Sequence, residues 1–151
     1  MKKNQPITRK EMVRLLNNDL AREYQAIIAY IVYSSTMKGA KYQHIAEELK
    51  KHAGEELKHA LLIAKQIDYF NGTPVTEPEN VKLSSKPDDM LRFDLENERV
   101  TILNYRTRIR QADAMGEFAL GEVLRKIIAE EQEHLTDLAE ALGVDNPKVG
   151  D

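Results

Sequence analysis

Apolar side chains recur at alternating spacings of four and three residues along four stretches of the chain, the period that gathers them on one face of a helix. The first stretch carries Leu16, Leu20, Ile27 and Tyr30, and the second Ile45, Leu49 and Ile63. The third carries Leu91, Leu95, Ile102, Tyr105 and Ile109, and the fourth Leu120, Leu124, Ile127 and Leu138. Capping chemistry sets the ends. Thr8 followed three residues later by Glu11 forms a capping box that opens the first helix, which runs to about Lys38 and stops at Gly39. The second helix spans roughly Lys41 to Phe70, with Gly72 placed to end it. Ser85, with Asp88 at the third position, caps a third helix that begins near Pro87 and ends at Gly116. The fourth continues to about Leu142, where Gly143 stops it. An all-α fold is predicted.

Short turns join the first helix to the second and the third to the fourth, so each pair is an antiparallel hairpin. The connection between the hairpins contains Pro74 and Pro78 and few core residues. At ~3.3 Å per residue its roughly 15 residues reach about 50 Å. A helix of about 27 residues is about 40 Å long at 1.5 Å per residue. The connection therefore spans the length of a four-helix bundle as one long crossover. Residues 8–143 make up the bundle, 1–7 are expected to be a flexible N-terminus, and the tail 144–151 (VDNPKVGD) is expected to be disordered.

Six slots of the inward-facing seams hold carboxylates or imidazoles that match between the two halves of the chain. Glu23 and Glu98 occupy matching slots of the first and third helices, each with a tyrosine, Tyr30 or Tyr105, two turns later. The second and fourth helices carry Glu-x-x-His, as Glu56 with His59 and Glu131 with His134. Adding 75 to 23, 30, 56 and 59 gives 98, 105, 131 and 134 with residue type preserved throughout, and Leu20, Ile27 and Leu49 map onto Leu95, Ile102 and Leu124. The chain repeats one helix hairpin about a pseudo-two-fold axis.

That pattern has a cost that chemistry must offset. An ionised carboxylate in a low-dielectric core costs several kcal/mol unless it is paired or coordinates a metal. No arginine or lysine shares these seam slots. Two divalent cations would neutralise the four carboxylates, some bridging both ions, with one histidine terminating each. A single Glu-x-x-His on a glutamate-rich helix usually marks a solvated face, but four matched positions in the core register do not. The chain has no cysteine, which excludes disulfides, thiolate zinc sites and iron–sulfur clusters, so a metal must be held by oxygen and imidazole. A net charge of −3 gives no general reason for nucleic-acid binding. No apolar run approaches the roughly 20 residues that span a bilayer, and the polar start MKKNQPITRK is unlike a signal peptide, so a cytoplasmic location is expected.

One glutamate from each of two helices and Glu-x-x-His from the other two is the pattern of ferritin-like di-metal carboxylate proteins. More narrowly, the stretches LNNDLAREYQAIIAYIVYS, AEELKKHAGEELKHA, MLRFDLENE and AEEQEHLTDLAE resemble the helices of bacterioferritin over nearly the whole chain. The resemblance implies a ferroxidase centre of two iron ions per subunit, oxidising Fe(II) with O2 or H2O2 for iron storage or detoxification. By position it makes Glu23 and Glu98 terminal carboxylates, Glu56 and Glu131 bridges, and His59 and His134 the nitrogen ligands. Iron follows from the resemblance alone; affinity would equally admit manganese or a mixed pair. Leu57 stands where bacterioferritin has its haem-binding methionine, so haem is not expected. The sequence stops nine residues after Leu142, short of the fifth helix of that family, which leaves a dimer, a twelve-subunit cage and a twenty-four-subunit cage all open as homo-oligomers. Two other readings keep the bundle: a small di-iron oxidase or peroxidase of rubrerythrin type without storage, and a non-enzymatic metal-binding helical module.

Around the six residues, Tyr30 and Tyr105 are expected to orient carboxylates or supply electrons, with buried core aromatics as the plainer alternative. His52 lies one turn before Glu56 and reads as a satisfied core or rim histidine, or else as an accessory metal position. His44 is expected at the surface. Glu55, Glu130 and Glu133 flank the six but point off the seam, toward solvent or a channel. The basic cluster Lys2, Lys3, Arg9 and Lys10 reads as a soluble terminus rather than a DNA-binding arm.

Overall fold

The computed structural model describes residues 6–150 and contains four long helices, α1 (Arg9–Thr36), α2 (Gln43–Tyr69), α3 (Pro87–Ala114) and α4 (Phe118–Leu142). Helices α1 and α2 form one antiparallel hairpin, α3 and α4 the other, and the hairpins pack with α1 against α3 and α2 against α4. Among the described residues there is no strand, and no helix is long and apolar enough to cross a membrane.

The predicted boundaries hold to within a few residues, and the differences have local causes. The Thr8 hydroxyl accepts from the Glu11 amide at 3.1 Å, one half of the capping box, while the Glu11 carboxylate accepts from Arg14 instead. Between the first two helices, Ala40–Tyr42 form a single 3-10 turn, so α2 begins at Gln43 rather than Lys41. The turn after α2 uses Asn71, not Gly72, as its left-handed residue (φ 63°). Gly72 is needed for a different reason. A methyl group there would lie 2.5 Å from Val13 Cγ1 and 3.2 Å from Ile67 Cγ2. At the start of α3 the N-cap is Lys86 rather than Ser85 and no side chain caps the helix; Ser84 fixes the approach, its hydroxyl accepting from the Lys86 amide at 3.0 Å and donating to Asp89 at 2.9 Å. Helix α4 ends as predicted at Gly143, whose φ of 68° lets the Val144 amide reach back to the Ala139 carbonyl.

The crossover runs alongside α1 from one end of the bundle to the other. Asn17 binds it twice, donating to the Thr73 carbonyl and accepting from the Val75 amide. Tyr24 donates to the Val75 carbonyl, Gln25 to that of Asn80 and Tyr33 to that of Lys82, while the Glu79 amide donates to the carbonyl of Ala21. The final residues are held as well. The tail has no helix, but in place of the expected disorder Val149 is buried against Ile102 and Leu135, and Arg106 donates to its carbonyl. The basic cluster divides: Lys2 and Lys3 lie outside the described residues, whereas Arg9 is in the first turn of α1, its guanidinium 4.9 Å from the centre of the Phe70 ring.

The core forms two large clusters. One gathers Met12, Leu16, Leu20, Ile63, Ile67, Leu120 and Leu124, and the other Ala29, Tyr33, Met37, Ile45, Leu49, Leu91 and Leu138. The seams of α2 and α4 are buried at every predicted slot. Those of α1 and α3 are less regular: Ile27, Leu95 and Ile109 are only half-buried, while Tyr33 and Arg108 are buried beside the seam.

Gly72→Ala should destabilise the fold by about 1–3 kcal/mol, because the branched Val13 side chain has little rotamer freedom with which to give way. Equilibrium denaturation in urea measures it, and a midpoint equal to wild type would contradict the close approach.

Candidate metal centre

The four helices carry Glu23, Glu56, His59, Glu98, Glu131 and His134 to one level of the bundle, and all six are at most 3% exposed. They fall into two overlapping groups whose donor atoms lie within 4.8 Å of one another: Glu23, Glu56, His59 and Glu131, and Glu56, Glu98, Glu131 and His134. Glu56 and Glu131 belong to both. Both imidazoles present Nδ1 to the carboxylates. His59 Nδ1 lies 2.7 Å from Glu131, 3.4 Å from Glu56 and 3.8 Å from Glu23. His134 Nδ1 lies 3.1 Å from Glu56, 3.5 Å from Glu98 and 3.8 Å from Glu131.

The surrounding hydrogen bonds obey the 75-residue repeat. The Tyr30 hydroxyl donates to Glu98 and the Tyr105 hydroxyl to Glu23, each at 2.5 Å. Both tyrosines thus hold one carboxylate each on the facing helix. The opposite ring nitrogens of the histidines are held too, His59 Nε2 by Glu130 at 2.9 Å and His134 Nε2 by Glu55 at 3.1 Å. A carboxylate that accepts from Nε2–H fixes the tautomer and leaves the Nδ1 lone pair for another partner. Glu55 and Glu130 therefore have a defined place, beyond the solvent or channel positions read for them from the seam register. Their offset of 75, the same as for the six, is the signal that could have found them.

His52 is buried, and its ring stacks on that of His134 with centroids 4.0 Å apart. Its Nε2 bonds to Asp137 at 3.1 Å. His44 is exposed, as predicted. One level away is an ion pair that the seam reading missed. Asp19 accepts two hydrogen bonds from Arg108, at 2.7 and 3.1 Å, and both side chains are buried. The repeat places Asp94 opposite Tyr33 instead, and Asp94 Oδ2 is buried without a hydrogen-bond partner.

Electrostatics shows what the cluster wants. Glu23 Oε2, Glu56 Oε1, Glu98 Oε2, Glu131 Oε2 and His134 Nδ1 are all buried without a hydrogen-bond partner. Loss of solvent pushes the Glu56 carboxyl well above the usual range, helped by the charges of Glu23 and Glu98. Glu131 is raised in the same way, by burial and then by Glu56 and Glu98. Burial pulls the His59 imidazole down, but Glu131 and Glu23 outweigh it and hold the group at about 10. His134 is likewise carried to about 10 by Glu98 and Glu131 against burial. Glu98 moves the other way: burial opposes its ionisation, yet bonds with Glu131 and His134 keep it low. Without a cation, the cluster balances its charge with protons.

The sign of the pH dependence follows. Folded His59 and His134 keep protons that the unfolded chain releases near 6.5, and Glu56 and Glu131 hold theirs above the normal carboxylate range. The folded state binds more protons from the carboxylate range up to about 10, so stability falls as pH rises through that window. Thermal melts of chelator-treated protein should give a lower Tm at about pH 9 than at about pH 6.5, and Mn(II) should raise the Tm most at the higher pH, where fewer protons compete. A Tm of treated protein that rises with pH would contradict the proton-balanced cluster.

Comparison with known proteins agrees with this architecture. The Ferritin family, described as a ferritin-like domain, matches residues 13–146. The chain is 26% identical over 134 residues to the bacterioferritin of Desulfovibrio desulfuricans, covering 88% of this chain and 75% of that protein. The ferritin-like, diiron-carboxylate proteins from Bacillus anthracis superpose with a TM-score of 0.86 at 33% identity, over 94% of this chain and 99% of theirs. The dodecameric thioferritin of Bacteroides fragilis, a bacterioferritin-related protein, does so with a TM-score of 0.84 at 26% identity, over 91% of this chain and 88% of its own. With nearly the whole bundle matched in sequence and in shape, the chain belongs to the ferritin-like family.

Proposed function

We propose that this chain is a di-iron ferroxidase that oxidises Fe(II) with O2 or H2O2 in the service of iron storage or detoxification. The observation that carries the reading is the set of buried donor atoms without partners, gathered in two four-residue groups that share Glu56 and Glu131. Two divalent ions balance four carboxylates, and the shared pair suits bridging positions. Glu23 with His59 would complete one ion's ligands, and Glu98 with His134 the other's. Iron in particular is supported by the diiron-carboxylate proteins of matching fold, since the donor set by itself admits several first-row metals.

Two Fe(II) ions supply the two electrons that O2 or H2O2 accepts. The chain's own residues prepare for that exchange. Glu55 and Glu130 hold the imidazoles through Nε2, so that Nδ1 faces the carboxylates. Tyr30 and Tyr105 hold Glu98 and Glu23 by one oxygen each, leaving the other oxygen of each carboxylate free. Loading displaces the protons that His59, His134, Glu56 and Glu131 retain, which makes uptake pH-dependent. The shared fold of a dodecameric relative supports a homo-oligomer, and storage requires one that encloses a volume.

Aerobic addition of excess Fe(II) tests the reading. Wild-type protein should oxidise it rapidly and keep iron well beyond two per chain on a sizing column, and Glu23→Ala should lose the rapid phase. Unchanged oxidation in Glu23→Ala would overturn the site assignment. Retention of only the bound pair, in a small oligomer, would replace storage with an oxidase or peroxidase role. Tyr30→Phe and Tyr105→Phe should each slow oxidation by roughly tenfold while binding as many Co(II) ions as wild type, because they free a carboxylate without removing a donor to the metal. Rates equal to wild type in both would reduce the tyrosines to core packing.

A further inference from the structure

We propose a third divalent-metal site, formed by Glu48, His52 and Asp137, at the floor of a solvent-open cleft between α2 and α4. One donor atom from each residue lies within 4.8 Å of the others. The site combines a buried imidazole with two carboxylates that reach solvent, His52 being 2% exposed and the side chains of Glu48 and Asp137 25% and 40%. A single imidazole buried beneath two carboxylates is not a solvated acidic face. His52 meets Asp137 through Nε2 at 3.1 Å, and that nitrogen is the one offered to an ion.

Access and charge both suit a cation. The cleft, about 420 Å³ in volume, is lined by His44, Ile45, Glu48, Asp137, Glu140 and Ala141, so two of the three proposed donors face the solvent that fills it. Two carboxylates and one neutral imidazole balance one divalent charge, independently of the four carboxylates deeper in the bundle. The competitor is Lys51, paired with Glu48 at 3.1 Å, but that side chain is 69% exposed, and a pair of this kind is displaced at little cost. Oxygen and nitrogen donors in this ratio take first-row divalent ions such as Fe(II), Mn(II), Co(II) or Zn(II).

The position suggests a use, which rests on the ferroxidase reading. The His52 ring is stacked on His134, so an ion held by Glu48, His52 and Asp137 waits one imidazole away from the paired centre and next to solvent. Fe(II) would be captured there before it passes inward.

Equilibrium dialysis of the full chain against Co(II), with Asp137→Ala and Glu48→Ala beside wild type, separates the two ideas. Both residues are half-buried at helix positions that reach solvent, where alanine keeps the helix, so folding is preserved. Each variant should hold one fewer ion per chain than wild type, and the ions that remain should number two. Identical counts in wild type and both variants would overturn the third site while leaving the pair intact. A loss of one ion per variant with none remaining would uphold the third site and remove the paired centre instead.

Discussion

Everything in this bundle is arranged around four carboxylates placed where water cannot solvate them. A four-helix bundle gains stability by closing an apolar seam, and Glu23, Glu56, Glu98 and Glu131 occupy the middle of that seam at almost zero exposure. Leaving them ionised and unpartnered would cost more than a domain of this size has to spare. The structure shows the compensations: imidazoles pointed inward, tyrosine hydroxyls donating across the bundle, and protons retained outside their normal range. The apolar clusters above and below act as the walls of this one polar layer, and their low dielectric is what makes a bound cation so favourable there.

The two halves of the site are related by repetition, but they are not identical. On one side Asp19 is neutralised by Arg108. On the other, Asp94 has no cation opposite it, and burial with the nearby charge of Glu98 drives its carboxyl well above the usual range. The layer of six donors is therefore close to symmetric while the layer beside it is not, so two ions in the centre would experience different fields. The stacked His52 and His134 sharpen the difference, because the repeat puts Ile127 where the second half would need another imidazole.

Much of this was legible in the sequence because period and offset are strong signals. The slots of α2 and α4 read at four–three spacing are all buried, and the 75-residue offset brought the six side chains into register without any coordinates. What escaped was governed by distances shorter than a turn of helix. Tyr33, Asp19 and Arg108 are each buried immediately beside a seam position rather than in one, which hid them from a reading by spacing. Lys86 rather than Ser85 turned out to be the N-cap of α3, a choice that depends on the direction in which the chain arrives. Glu55 and Glu130 looked solvent-facing because helical phase describes where a Cβ points, and a glutamate is long enough to turn back onto a histidine on the opposite helix. The ordered tail depended on Val149 finding Ile102 and Leu135, a contact with no periodicity to announce it.

The crossover has a bearing on assembly. Two near-copies of one hairpin in a single chain create an ambiguity, since the first hairpin of one molecule could pair with the second of another and form the same interface. Hydrogen bonds from Asn17, Tyr24, Gln25 and Tyr33 pin the connecting segment along α1, and it delivers α3 to its own α1. Tethering raises the local concentration of the correct partner far above that of any neighbour. Domain exchange between chains is thereby suppressed, and larger assemblies are left to form from finished bundles.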